Sequence, residues 1–376
     1  MKRVWTKEEA WAWYDALPWL RGCNFIGSDC ANRIDQWQSY RMDEHMNTAD
    51  REMAACEKLG MNTVRLIVEF DVWAQEPEAF MRCLEGYLGL AERHHLAVML
   101  VLANEAVLCR GEKYIPRALG EQKYALGYHQ GRFPLTEAEK AKPPVHPLET
   151  GEWRQRYLDM VHEIVRKCAK DKRVICWNVY NEPGILLGDR AEPLVRLLFD
   201  AVRAEDPIQP LCADVWRIWK GADDGVPQTK TEKTALALSD VISIHTYSRY
   251  EKVVLQLEAF KKHGRPVLVT EWLNRISHNN VAEIYPLFYL EKIANWCWGC
   301  VAGKTQTYEP WDTLWEQYDN GTNPDLDFTK WQHDIFRPSL HPYDPHETEL
   351  MRRFNTLADG RREKEASFVN GKDSRR

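Results

Sequence analysis

Eight short apolar runs, helix-like segments between consecutive runs, and glycine-bearing returns from helix to strand predict an α/β fold, a single (β/α)8 TIM barrel. Strict alternation makes the strands parallel, and eight parallel strands close on themselves. The first run is Cys23–Ile26, followed by helical spacing over Thr48–Leu59. Leu59-Gly60-Met61-Asn62 then turns the chain into the second strand, Thr63–Val68, because glycine can end a helix. Pro77–His94 leads to Val98–Leu102, and Glu152–Lys170 leads to Val174–Val179. Glu192–Ala204 precedes Leu211–Val215, and Lys230–Leu238 precedes Val241–Ile244. Glu251–His263 returns through Gly264, Arg265 and Pro266 to Val267–Val269. Asn280–Ile293 leads to the eighth run, Trp296–Val301, and a helix over Asp344–Leu357 follows. A doubly wound open sheet is the rival architecture, but no G-x-G-x-x-G follows the first strand.

A length of 376 residues fits one barrel with insertions. The expected catalytic domain is 1–358, and 359–376 is a charged tail expected to be poorly ordered. Two connections exceed what a bare barrel needs: residues 105–150 after the third strand and 303–343 after the eighth. Both fall on the C-terminal face, where they can wall and cap a cleft. A net charge of −6 with scattered Lys and Arg argues against nucleic acid. The N-terminal MKRVWTKEEAWAWYDALPWL lacks the apolar core of a signal peptide, and no run reaches the length of a membrane span, so a cytoplasmic protein with no membrane association is expected. Ten cysteines sit mostly in apolar runs, among them Cys23, Cys176, Cys212, Cys297 and Cys300, as in a reducing compartment. Cys297 and Cys300 form a C-x-x-C, read as buried packing because no second pair stands at metal-site spacing.

The motif with most chemistry is WNVYNEPG at 177–184, an apolar run that breaks at Pro183-Gly184 directly after Asn181-Glu182. A carboxylate at the C-terminal end of a buried strand, beside an amide able to bind a sugar hydroxyl, is half of a glycoside-cleaving site. PVLVTEW at 266–272 supplies the other half, with Glu271 where the seventh strand should stop. A carbohydrate is thus the expected partner, with neither metal nor organic cofactor. One alternative is a non-catalytic carbohydrate-binding barrel. Another is a metal-dependent amidohydrolase barrel, which needs an H-x-H near the end of the first strand that none of the twelve histidines provides.

WNVYNEPG, IHTYS (244–248) and LVTEW (268–272), in this order, resemble the retaining glycoside hydrolases of the clan that includes the family 5 cellulases and mannanases and the family 2 β-galactosidases. GCNFIGSDCANRIDQWQ (22–38), GMNTVRLIVEFDVW (60–73), VAGKTQTYEPWD (301–312) and WQHDIF (331–336) are similar to bacterial cellulase-like or β-1,4-xylanase-like proteins, so the likeness runs from about Trp11 to Phe354. The resemblance implies that Glu182 is the general acid/base and Glu271 the nucleophile, their carboxyls roughly 5 Å apart across the barrel mouth. It further implies that Asn181 binds the sugar 2-hydroxyl, that Tyr247 hydrogen-bonds Glu271, and that His245 lies near Glu182 and tunes its hold on the proton. Arg65 on the second strand would orient Glu271 and favour its ionised form, and Trp298 would floor the first subsite. Many family 5 members carry a histidine at the end of strand three; here Asn104 and Glu105 stand there, and Asn104 can make a comparable hydrogen bond. Of sixteen tryptophans, Trp37, Trp73, Trp216, Trp272, Trp298 and Trp311 fall near strand ends, and three or four at most are expected to touch sugar. The number of subunits is not specified by any of these patterns.

Overall fold

The computed structural model describes residues 3–106, 108–217 and 226–373, with side chains through 360. Its centre is a closed barrel of eight parallel strands: β1 (Arg21–Asn24), β2 (Thr63–Ile67), β3 (Ala97–Val101), β4 (Val174–Tyr180), β5 (Leu211–Val215), β6 (Ile242–His245), β7 (Val267–Trp272) and β8 (Ala294–Cys297). β1 closes the ring by pairing Gly22 with Trp296 of β8 on one side and with Thr63 of β2 on the other. Gly22 is required there: a Cβ would lie 2.1 Å from the Thr63 carbonyl oxygen. A two-stranded antiparallel ribbon, Cys109–Arg110 with Pro144–Val145, fastens the ends of the long loop after β3.

The outer helices bury one stripe each, as their apolar spacing demands. Met53, Cys56 and Leu59 do so in Met42–Leu59, Phe80, Leu84 and Leu88 in Pro77–Arg93, and Met160, Ile164 and Cys168 in Gly151–Cys168. Gly60, at φ 87°, ends the first of these as its sequence position predicts. The N-terminal end of the barrel is plugged by Leu20, Met99, Cys176, Leu268 and Trp296, onto which Trp5, Trp13, Tyr14 and Leu17 pack. Those aromatics belong to an unforeseen segment around the helix Lys7–Asp15, whose signal is the Thr6/Glu9 capping box. Above the apolar plug lies a polar layer: Asp214 accepts from Asn178 at 2.7 Å and from Ser243 at 2.5 Å.

Two strands begin two residues earlier than their apolar runs. β1 starts at Arg21 because its guanidinium is buried and answered by Asp359 at 2.7 Å and the Gly60 carbonyl at 2.7 Å. β8 starts at Ala294 and stops at Cys297, since Gly299 at φ 75° turns the chain out of the sheet. Met42–Leu59 starts six residues before the expected Thr48; its cap, Arg41, is left-handed and makes no side-chain capping bond, so the usual start signal is missing. The last helix spans Pro345–Asp373; the expectation for the tail from 361 onward falls on residues whose side chains lie outside the description. Cys297 and Cys300 are both buried, and Cys300 Sγ sits 3.2 Å from Cys56 Sγ, which is 3.9 Å from Cys23 Sγ. No described helix is long and apolar enough to cross a membrane.

Candidate active site

The C-terminal mouth of the barrel gathers around Arg65, a fully buried cation that needs acceptors on every side. Its Nη1 donates to Glu271 Oε1 at 2.9 Å and Asn24 Oδ1 at 2.6 Å. Its Nη2 donates to Asp214 Oδ2 at 2.9 Å and Asn181 Oδ1 at 2.6 Å. One side chain thereby ties the ends of β1, β4, β5 and β7. Tyr247, two residues past β6, donates its hydroxyl to Glu271 Oε2 at 2.8 Å. His245 ends β6 with Nδ1 at 2.8 Å from Glu182 Oε1 and 3.4 Å from Glu271 Oε2. Its Nε2 lies 3.2 Å from Asp214 Oδ2, an ion-pair distance without hydrogen-bond alignment. A carboxylate oxygen of Glu182 and one of Glu271 lie within 4.8 Å of each other.

Charge in this network is set by burial against close partners. Burial opposes the cationic ring of His245, but Glu271 and Asp214 outweigh it and raise its pKa from 6.5 to about 10. Burial would raise Asp214 as well, yet His245 and Arg65 hold its carboxyl well below the usual range. Glu271 goes the other way: burial, with repulsion from Glu182 added, exceeds the pull of His245, Arg65 and Tyr247 and raises it. Arg65 and Tyr247 do favour the ionised form of Glu271, as expected, but burial outweighs them and the net direction is upward, because the site is drier than a motif can reveal. Glu182, His245 and Glu271 are close enough to share a cation. His245 faces carboxylates with both nitrogens, and these favour the protonated ring, with whose proton a metal would compete.

Glu182 is presented by a strained turn. β4 ends at Tyr180, Asn181 makes a single bridge to Asn104, and Glu182 then adopts φ 45° before Pro183 and Gly184 at φ 84°. A left-handed non-glycine residue costs about 1–3 kcal/mol and persists only where its surroundings impose it. Glu105 does so: fully buried, it accepts the main-chain N–H of Gly184 at 2.7 Å, Leu186 at 2.9 Å and Leu187 at 2.8 Å, and the Tyr180 hydroxyl at 3.0 Å. Asn181 spends one N–H on Asn104 Oδ1 at 3.2 Å, and its amide carries a second. Asn104 Oδ1 is occupied by that bond and by the Ala106 N–H at 3.1 Å. Asp214, Glu105 and Asn24 were not singled out in the sequence as site residues, although a lone aspartate inside the buried run LCADV was a usable signal.

A cavity of about 470 Å³ opens beside Arg65 and Trp298. Ala106, Leu108, Gln130 and Phe133 of the long loop and Thr305 and Thr307 of the segment after β8 wall it. The two insertions are fastened together: Gly127 N donates to Gln306 Oε1 at 2.7 Å, Gln306 Nε2 donates to the Ala125 carbonyl at 2.5 Å, and His129 Nδ1 meets the Glu309 carbonyl at 2.7 Å. Arg117 pins the same loop to the end of β2 through Glu69, at 2.7 Å, and Asp71. Of the six tryptophans near strand ends, Trp298 lines the cavity, whereas Trp37, Trp73 and Trp272 are buried in the core. Trp216 donates to the Pro183 carbonyl at 3.2 Å, and Trp311 stands edge-on to Tyr247 at 5.0 Å.

No protein-family model matches the chain, and no curated protein matches it. Solved structures do. GH5_18 from Streptomyces cattleya in complex with GlcNAc superposes with a TM-score of 0.53 at 13% identity, over 90% of this chain and 80% of that one. The β-mannanase of the blue mussel Mytilus edulis gives 0.52 at 13% identity, over 76% and 87%. The exo-β-1,4-mannosidase Op5Man5 from Opitutaceae bacterium strain TAV5 gives 0.57 at 13% identity, over 91% of this chain and 60% of its own. These likenesses establish the barrel fold.

Proposed function

We propose that this chain is a retaining β-glycoside hydrolase in which Glu182 is the general acid/base and Glu271 the nucleophile. The observation that carries the reading is the pair itself: two carboxylates from β4 and β7, at the C-terminal mouth, with oxygens within 4.8 Å. Retention calls for carboxyl groups about 5–5.5 Å apart, whereas inversion needs about 6.5–9.5 Å to admit water. Two buried cations, Arg65 and His245, face three carboxyls, Asp214, Glu182 and Glu271, so a neutral site keeps one proton on a carboxyl. That proton is the one donated to the leaving oxygen.

In the first half-reaction Glu182 gives its proton to the glycosidic oxygen while Glu271, aimed by Arg65 and Tyr247, attacks the anomeric carbon. In the second, Glu182 takes a proton from water, and water displaces Glu271 from the sugar. The second N–H of Asn181 reaches the 2-hydroxyl, and Trp298 offers an apolar face to the ring. Asn104 acts by orienting Asn181. The β-mannosidic and GlcNAc-binding neighbours support a β-linked hexoside, and the walled cavity supports a short glycoside cleaved from its end.

Aryl β-glycosides of mannose, glucose, galactose, xylose and N-acetylglucosamine, with uncharged and acidic derivatives, test this. Glu271→Ala should remove hydrolysis. Glu182→Ala should keep turnover of activated aryl substrates, with azide restoring rate, while losing alkyl glycosides by about 10²-fold or more. Sugar binding without turnover in the native chain, unchanged in both variants, would instead indicate a non-catalytic binding barrel.

A further inference from the structure

The cavity beside Arg65 holds more positive charge than the proposed hydrolysis uses. Arg33, Arg65, Arg110, Arg117, Lys123 and Arg132 line it, against one lining carboxylate, Glu69. Arg65 is answered by Asp214 and Glu271, and Arg117 by Glu69 and Asp71. Arg110 donates to the main-chain oxygens of Lys140 at 3.3 Å and Lys142 at 3.0 Å and meets no carboxylate among the described residues. Arg132 donates to the Ala106 carbonyl at 2.8 Å, while Arg33 and Lys123 have no hydrogen-bond or ion-pair partner among the described residues.

Loss of water in the cleft lowers Arg33 to about 10, with Glu69 and Glu271 offsetting part of the effect. Arg132 is exposed at the open side of the cleft, with Arg33 and Arg117 as like-charged neighbours. Both remain charged at neutral pH, and among the described residues neither is in contact with a carboxylate. A guanidinium in that position gains most from an anion with several oxygens, which it can grip with two parallel N–H bonds. The place of these residues says which part of a substrate carries the charge. Arg33 follows β1, Lys123 and Arg132 lie on the loop after β3, and with them the cavity is lined by Arg65, which donates to Glu271, whereas neither Glu182 nor Glu271 is itself among the lining residues.

We propose that the sugar held in this cavity bears an anionic substituent, a carboxylate or a phosphate, recognised by Arg33, Arg132 and Lys123. That this sugar is the one whose glycosidic bond is cleaved rests on the hydrolase reading; the anion recognition does not.

Calorimetric titration of the full chain separates the two. The probes are hexuronic acids and hexose 6-phosphates of gluco, galacto and manno configuration, with the parent hexoses as neutral controls. An anionic sugar should bind at least about tenfold tighter than its parent hexose, weaken with salt, and lose about tenfold or more in Arg33→Gln and, separately, in Arg132→Gln. Arg132 is open to the cleft, so its variant tests the proposal even where Arg33→Gln fails to fold. Whether the uronic acids or the phosphates bind tells carboxylate from phosphate. Parent hexoses binding as well as both anionic series, neither anionic series binding, or anion affinity unchanged in the folded variants, would overturn it. Hydrolysis of matching 4-nitrophenyl β-glycosides is read in parallel: anion binding without cleavage of any glycoside would uphold this site and sink the hydrolase, while preferential cleavage of neutral glycosides would do the reverse.

Discussion

Asp214, Glu182 and Glu271 share two buried cations, Arg65 and His245, and of these two the imidazole is the one that can give up its charge at an accessible pH. Its pKa rises from 6.5 to about 10 on folding, so its contribution to stability is complete below pH 6.5 and is lost as pH climbs toward 10. Thermal unfolding from pH 6.5 to 10 should show this: native protein loses stability across the window, whereas His245→Asn starts less stable and changes less. Parallel curves would mean that the ring is not held as a cation. Catalysis gives a second readout. Burial lifts Glu271 above its ordinary 4.5, so the acidic limb of kcat/KM should fall at a higher pH than an exposed glutamate would give. An acidic midpoint at or below 4.5 would contradict that environment. Glu182 and Glu271 were legible in the sequence because each ends an apolar run, one of them at a Pro-Gly break. The direction of the Glu271 shift was not, because it depends on how much water the completed barrel excludes. Asp214 escaped for a related reason: a single aspartate in LCADV shows its partners only once β2, β5 and β6 are side by side.

The turn after β4 is an element whose shape is bought by one carboxylate, Glu105. Glu105→Leu leaves the N–H groups of Gly184, Leu186 and Leu187 without their acceptor, at about 1–3 kcal/mol per buried group, so a loss of about 3–5 kcal/mol in stability is expected from denaturant unfolding. Because those bonds also hold Glu182 at φ 45°, kcat should drop by about 10²-fold with KM little changed. Glu105→Gln keeps an oxygen acceptor and should recover part of both. Loss of stability with full kcat would show that Glu105 braces the fold but does not position Glu182. Strands were the most legible elements, since a run buried on both faces is apolar throughout. Their ends were less so: Arg21 opens β1 with its charge answered by Asp359, a residue 338 positions away. The ribbon Cys109–Arg110 with Pro144–Val145 has two residues per strand, too few to carry a periodic pattern.

At the scale of the whole molecule, the two insertions convert an open barrel mouth into a walled cavity. Their lengths marked them in the sequence as functional, but contacts such as Gln306 with Ala125 and Gly127 join residues about 180 positions apart and leave no local trace. Arg65 lines the cavity and donates to Glu271, and the strained turn presents Glu182 to the same network, so the account stands on what that pair of carboxylates does. Trapping with a 2-deoxy-2-fluoro-β-glycosyl fluoride of the sugar found to be cleaved tests this most directly. The fluorine slows both half-reactions, and the fluoride leaving group still lets the first proceed. Intact-mass and peptide analysis should find one sugar ester per chain, on Glu271, forming as activity is lost and disappearing as activity returns. An ester on another residue, or turnover by the native chain that survives Glu271→Ala without any labelled intermediate, would contradict the account.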